Sequence, residues 1–195
     1  MEGQKLYDLM RERRSCRSYK SEQVPVDLLD QVLQAGRIAP SGMNVRQCHF
    51  IAVRRPELLE KVRVLLQQIF ADMETASASP MLSRTIELAK KDKHCFFYSA
   101  PTLIVVANQR DNVNNLADSA VALQNMMLMA TALGLGSCWI NNLRWQGDVP
   151  SIRQFLEEIG VKEHEAVYGA LALGYIAAPL PEAPACTGNI TEILE

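Results

Sequence analysis

The sequence predicts an α+β fold, on three observations. Segments with the apolar period of a helix outnumber strand-like runs, and the two types do not alternate as a doubly wound parallel sheet requires. One helix-length stretch, around Met126, Met127 and Met129, is apolar almost all round and therefore belongs at the centre of the fold. At 195 residues the chain fits one domain spanning 1–195, which buries roughly 70% of its extended-chain surface, enough for a core without staples.

In chain order, Leu6, Leu9 and Met10 recur at helical spacing ahead of a cationic turn. A second helix is expected over residues 27–37, with Leu28, Leu29, Val32 and Leu33 on one face and Gly36 near its end. A loop of turn formers follows, Ala39-Pro40-Ser41-Gly42-Met43-Asn44, and then a short strand over 49–53. Over 57–73, Leu58, Val62, Leu65, Leu66, Ile69 and Met73 mark an amphipathic helix whose Arg63 and Gln67 are expected to face water. A weaker helix around Ile86 and Ala89 follows a Ser/Ala/Pro-rich loop, in what is expected to be the most mobile region. The branched run over 102–107 reads as a strand buried on both faces. The central helix over 116–133 is expected to be capped by Asn115, to carry Asp118 favourably in its first turn and to close at Gly134. Asp148 and Pro150 open a helix that Gly160 ends, residues 167–175 form a last buried strand, and residues 178–195 form an extended, proline-containing tail.

A net charge of −2 offers no broad footprint for nucleic acid or anionic lipid. The N-terminus has no apolar core of a secretory signal, and the longest apolar stretch, 126–140, is broken by Thr131, two glycines and Ser137, short of a membrane span of about 20 residues. Cys16, Cys48, Cys95, Cys138 and Cys186 are widely spaced and contain no Cys-x-x-Cys pair, which points to a reduced, cytoplasmic protein. With His49, His94 and His164 they show no metal-ligand spacing. His49, inside a strand, reads as a satisfied core histidine, and the methionine cluster and Cys138 as packing.

The chemistry-bearing segments lie elsewhere. Arg13-Arg14-Ser15-Cys16-Arg17 gathers three guanidiniums and a hydroxyl, a donor set suited to phosphate, although cations at a helix C-terminus are stabilised in any case. The 39–44 loop can bring backbone and amide groups against a flat hydrogen-bonding ring, and is equally an ordinary turn. Gly134-Leu135-Gly136-Ser137-Cys138-Trp139-Ile140-Asn141 contains Gly-x-Gly, but it ends a helix instead of opening one and has Trp139 at the third glycine position, so it is not a dinucleotide fingerprint.

Together, and in this order, these segments resemble the nitroreductase family: an Arg-x-Ser-x-Arg/Lys turn, an Ala-Pro-Ser-x-x-Asn loop, and a buried helix leading into Gly-Leu-Gly-x-x-Trp. Tyr98-Ser99-Ala100-Pro101 and Gly169-Ala170-Leu171-Ala172-Leu173-Gly174-Tyr175 are similar to family segments too, while the resemblance is weak across residues 55–97 and after 178. The resemblance implies a mostly antiparallel central sheet flanked by helices, in an intertwined homodimer with one FMN in each of two clefts between subunits. It implies that Arg13 and Ser15 hold the phosphate, Arg14 lies along the ribityl chain, and Arg17 sits beside the N1/C2 edge of the ring. Pro40, Ser41, Gly42 and Asn44 would reach the ring from the other subunit, and Trp139, Ile140 and Asn141 would line its far side, the Asn141 amide near N5. Lys93 is a further candidate. The resemblance departs at Arg46, Gln47 and Cys48, where family members often carry Gln-Pro-Trp, and at the C-terminus, where no Lys or Arg follows Lys162.

The implied activity is a ping-pong oxidoreductase in which NAD(P)H reduces FMN and a small electron-poor acceptor, such as a nitroaromatic, quinone or enone, reoxidises it. A reductive dehalogenase on the same fold, and a flavin-storage protein without turnover, are the alternatives.

Overall fold

A computed structural model describes residues 2–74, 80–91, 95–183 and 189–194. The strand-like runs pair as β1 (His49–Val53), β2 (Thr102–Gln109), β3 (Leu135–Ile140) and β4 (Glu165–Tyr175), in one antiparallel sheet of order β1-β2-β4-β3. Because successive strand residues face opposite sides, the central strands feed two cores. Leu103, Val105, Ala107, Ala170 and Ala172 point one way; Ile104, Val106, Leu171 and Leu173 point the other.

The first face is covered by α3 (Pro56–Ala71), α4 (Pro80–Lys90) and α7 (Pro150–Glu158), whose Val62, Leu66, Phe70, Ile86, Phe155 and Leu156 are buried. The second is covered by α2 (Val26–Arg37) and α5 (Asn115–Ala132), through Val32, Leu123, Met126 and Ala130. α1 (Gly3–Glu12) buries no residue, and α6 (Asn142–Trp145) is a single turn after β3.

Several expectations change. β3 was not foreseen as a strand: the apolar run from Met126 hides a helix that ends at Gly134, with φ 71°, and a strand that begins one residue later. α5 is not enclosed within one chain, because it packs one face on the sheet and leaves Leu116 and Val121 about 40% and 39% exposed. The residue preceding α5 is Asn114, without a side-chain cap bond, instead of Asn115, whose amide donates to the carbonyls of Gln109 and Arg110 and ties the helix to the end of β2. Gln67 turns inward to donate to the Ala89 carbonyl, joining α3 to α4 where solvent exposure was expected.

His49 is satisfied but not in the core. It stands at the sheet edge with its Nδ1 2.9 Å from Glu165 Oε2. Burial alone would push the Glu165 carboxyl up; the His49 contact and the Lys162 amide outweigh it and hold it below its ordinary value. Lys93 lies outside the described residues. Among the described residues, no helix is long and apolar enough to cross a membrane, and no cluster of His, Cys, Asp and Glu could hold a metal.

Candidate functional site

The cationic turn is built as an added sheet edge. α1 stops at Arg13, whose φ of −57° and ψ of 124° leave the helical region, and the chain runs extended beside β3. Ser15 forms a parallel bridge with Ser137, and the Cys16 amide donates to the Ser137 carbonyl at 2.9 Å. Further on, the Lys20 amide donates to the Tyr175 carbonyl at 2.9 Å, and the Tyr19 hydroxyl donates to the Cys16 carbonyl at 2.8 Å. Cys16 is fully buried against the sheet. A Cβ at Gly136 would lie 2.6 Å from Cys16 Sγ, so the close approach requires glycine there.

Extended backbone alternates its side chains, which is why an Arg-x-Ser-x-Arg spacing collects three polar groups on one side. The Cys138 thiol registers all of them: Ser15 hydrogen-bonds it, and the charges of Arg17 and Arg13 act on it. Burial nevertheless dominates and pushes that thiol up, so Cys138 remains a neutral filler at 4% exposure. Cys138→Ala is accordingly expected to stay folded and to keep most of its turnover, losing about 1 kcal/mol in urea unfolding for the deleted sulfur. Abolished turnover in a folded variant would assign the thiol a chemical role.

Arg17 Nε makes a long contact of 3.4 Å to the Tyr98 hydroxyl, and its guanidinium carbon lies 5.9 Å from the ring centroid. This hydrogen bond leads the causes that raise the Arg17 pKa. Tyr98 was noticed in the sequence only as part of a segment, with no role. It and Ser99 adopt left-handed φ values of 60° and 55°. Arg14 is turned back, donating to the carbonyls of Arg11 and Arg13 at 2.5 Å each, where it caps α1. Among the described residues, none of Arg13, Arg14 and Arg17 is in an ion pair.

The 40–44 loop is seated elsewhere, at the start of α5. The Gly42 amide donates to Asp118 Oδ1 at 2.9 Å, and the Asn112 side-chain amide donates to Asp118 Oδ2 at 3.1 Å. Within the loop, the Arg46 amide donates to Ser41 Oγ at 3.0 Å and Arg46 Nε to Asn44 Oδ1 at 2.8 Å. Met43, Asn44 and Arg46 hold left-handed φ values of 49°, 58° and 53°. Such conformations cost non-glycine residues about 1–2 kcal/mol each and persist where surroundings impose them. Asp118 and Gly134 are separated by roughly 24 Å of helix, and no hydrogen bond among the described residues joins this loop to the cationic turn.

The third segment continues β3. Trp139 Nε1 donates to Asn141 Oδ1 at 2.9 Å. The Ile140 side chain is buried in the core at 4% exposure, and its backbone pairs with Ala170 at the end of the β3–β4 ladder. The structure therefore brings the cationic turn and the Ser137–Asn141 strand end into one continuous edge, and keeps the 40–44 loop apart.

The model of the Nitroreductase family matches residues 10–175. A nitroreductase with bound FMN from Bacteroides fragilis is 37% identical, with a TM-score of 0.87 over 97% of this chain and 98% of that one. A protein of Methanothermobacter thermautotrophicus named as an NADH dehydrogenase/NAD(P)H nitroreductase is 29% identical over 174 residues, 87% of this chain and 76% of that protein. Mouse iodotyrosine deiodinase 1 is 26% identical over 187 residues, 90% of this chain but 63% of the deiodinase, so the chain spans less than two thirds of it.

Proposed function

Because the chain belongs to the nitroreductase family of oxidoreductases, we propose that it binds FMN and passes electrons from NAD(P)H to a small electron-poor acceptor, a nitroaromatic, quinone or enone, by a ping-pong mechanism. The observation that carries this reading is the face shared by Arg13, Ser15 and Arg17, cations without a carboxylate partner among the described residues, beside a hydroxyl. That donor set fits a phosphate, which guanidinium forks grip in pairs, and a reducible ring whose far edge gains negative charge.

Bound FMN supplies the hydride and electron chemistry, so no side chain need act as a nucleophile. Arg13 and Ser15 hold the phosphate. Arg14, capping α1, keeps the turn in place beside the ribityl chain. Arg17, steadied by Tyr98, places a fixed positive charge at the N1/C2 edge. Trp139 and the backbone of Ile140 and Asn141 line one side of the ring, and Pro40, Ser41, Gly42 and Asn44 of a second copy cover the other and exclude water. NAD(P)H and the acceptor occupy one pocket in turn, since the chain offers no dinucleotide fingerprint for a resident nicotinamide.

Two features support a homodimer. The 40–44 loop stands apart from the cationic turn in one chain, and the exposed Leu6 and Met10 of α1 and Leu116 and Val121 of α5 leave apolar surface for a partner. Sedimentation is expected to give a dimer at micromolar concentration; a clean monomer with flavin bound rejects the shared site. The unpaired thiols of Cys16, Cys48, Cys95 and Cys138 agree with a cytoplasmic setting.

The test is a yellow purified protein that releases FMN and oxidises NAD(P)H when a quinone is added. Colourless protein without flavin affinity rejects the reading, and a yellow protein without turnover identifies a storage role. Similarity to iodotyrosine deiodinase 1 favours one further acceptor class, halogenated phenols, for which halide release under reducing conditions is the readout.

A further inference from the structure

We propose that Asp118 is the positioning residue that holds residues 41–46 in the conformation in which they meet the flavin ring. The inference rests on the FMN reading above and concerns a residue that the sequence marked only as a favourable charge near a helix start.

Asp118 is 5% exposed, yet both carboxylate oxygens have donors: the Gly42 amide at 2.9 Å and the Asn112 side chain at 3.1 Å. Asn112 is itself fixed, its Oδ1 accepting from the Asn114 amide at 2.9 Å. The seat is close-packed, because a Cβ at Gly42 would fall 2.1 Å from Asn114 Nδ2. The loop's other bonds, Arg46 to Ser41 and to Asn44, and the amides of Asn44 and Val45 to the carbonyls of Ser41 and Gly42, stay inside it. They tie the turn to itself, and among the described residues the Gly42–Asp118 bond is the hydrogen bond that joins it to α5.

Packing does not hold the strained residues, since Met43 is 91% exposed with its left-handed backbone. An anchored amide at the head of the turn supplies the constraint instead. The internal bonds then aim Asn44. Arg46 Nε can only donate, so the atom facing it is the Asn44 oxygen, and the Asn44 NH2 is left to donate outward to an acceptor atom of the ring.

A loop that touches the ring and not the phosphate affects FMN and riboflavin alike. Asp118→Asn keeps the shape but puts an NH2 where one of the two donors was received. It is expected to weaken both ligands by about tenfold, to shift the bound-flavin absorption bands toward those of free flavin, and to leave the far-ultraviolet spectrum of the apoprotein unchanged. Met43→Gly in that background relieves the left-handed constraint at an exposed position and is expected to recover part of the loss for both ligands, and urea unfolding of the two apoproteins separates this recovery from a general change in stability.

If Asp118→Asn fails to fold, Asn112→Ala, which frees one carboxylate oxygen, carries the same measurements. Unchanged affinity for both ligands in a folded variant overturns the proposal, and so does weakening of FMN alone. Wild-type protein that binds neither ligand overturns the FMN reading itself, a separate outcome.

Discussion

Arg13→Ala is expected to weaken FMN binding by roughly tenfold to a hundredfold or more, and to leave riboflavin binding nearly unchanged. The size follows from a charge-assisted hydrogen bond, worth about 1.5–3 kcal/mol, where each 1.4 kcal/mol is tenfold in affinity. A phosphate carries up to about two negative charges and is costly to bury without partners. Few cations share that task here. Within this sequence no Lys or Arg follows Lys162, and the tail residues Leu180, Pro181 and Ala183, which line an open cavity together with Arg11 and Arg14, carry no charge. Arg14 is occupied by the carbonyls of Arg11 and Arg13. On the proposed FMN reading, Arg13 would then grip the phosphate with Ser15, and parallel titrations with FMN and riboflavin measure that share. Equal weakening of both ligands would show that Arg13 supports the ring or the fold, with the phosphate held elsewhere.

Arg17→Ala is expected to lower the midpoint potential of the bound flavin by about 30 mV or more with FMN retained. A cation beside the N1/C2 edge stabilises charge that exists mainly in the reduced ring, and about 1.4 kcal/mol of such stabilisation corresponds to roughly 30 mV for a two-electron couple. Arg17 is exposed in the single chain, so solvent screens it and the lower end of the charge-assisted range applies. Spectroelectrochemical titration at two salt concentrations reads the shift. Arg17→Lys retains the charge and is expected to recover most of the potential. A potential unmoved by the loss of charge would place Arg17 away from the ring.

How far the sequence carried depended on whether a signal was local. α2, α3, β2 and β4 announce themselves by period and branching, and their partners on the sheet confirm the reading. β3 does not, because Leu135-Gly136-Ser137-Cys138-Trp139-Ile140 has a single β-branched residue and follows α5 after only Leu133 and Gly134. Gly136 looks like a breaker, and is instead the gap into which Cys16 packs. Gln67 reads as polar and outward until α4 supplies a carbonyl for it. In the site, Arg13, Arg14, Ser15 and Arg17 were legible as a donor set because they crowd into five consecutive positions, whereas the turning back of Arg14 depends on the carbonyls it meets at the end of α1. Asp118 was legible as a charge but not as an anchor, since Gly42 lies 76 positions earlier. Tyr98 likewise meets Arg17 across 81 positions.

Those separations also order events in time. Ser15 pairs with Ser137 and Tyr19 with Ile176, so the N-terminal turn has no edge to lie on until β3 and β4 exist. At about 5–20 residues per second, a nascent chain waits on the order of ten to thirty seconds between making the turn and making its last partner strand. Contacts of such long range form late and slowly. The cationic turn is therefore among the last of these elements to be ordered, and on the FMN reading it can take up a phosphate only after β3 and β4 have been made.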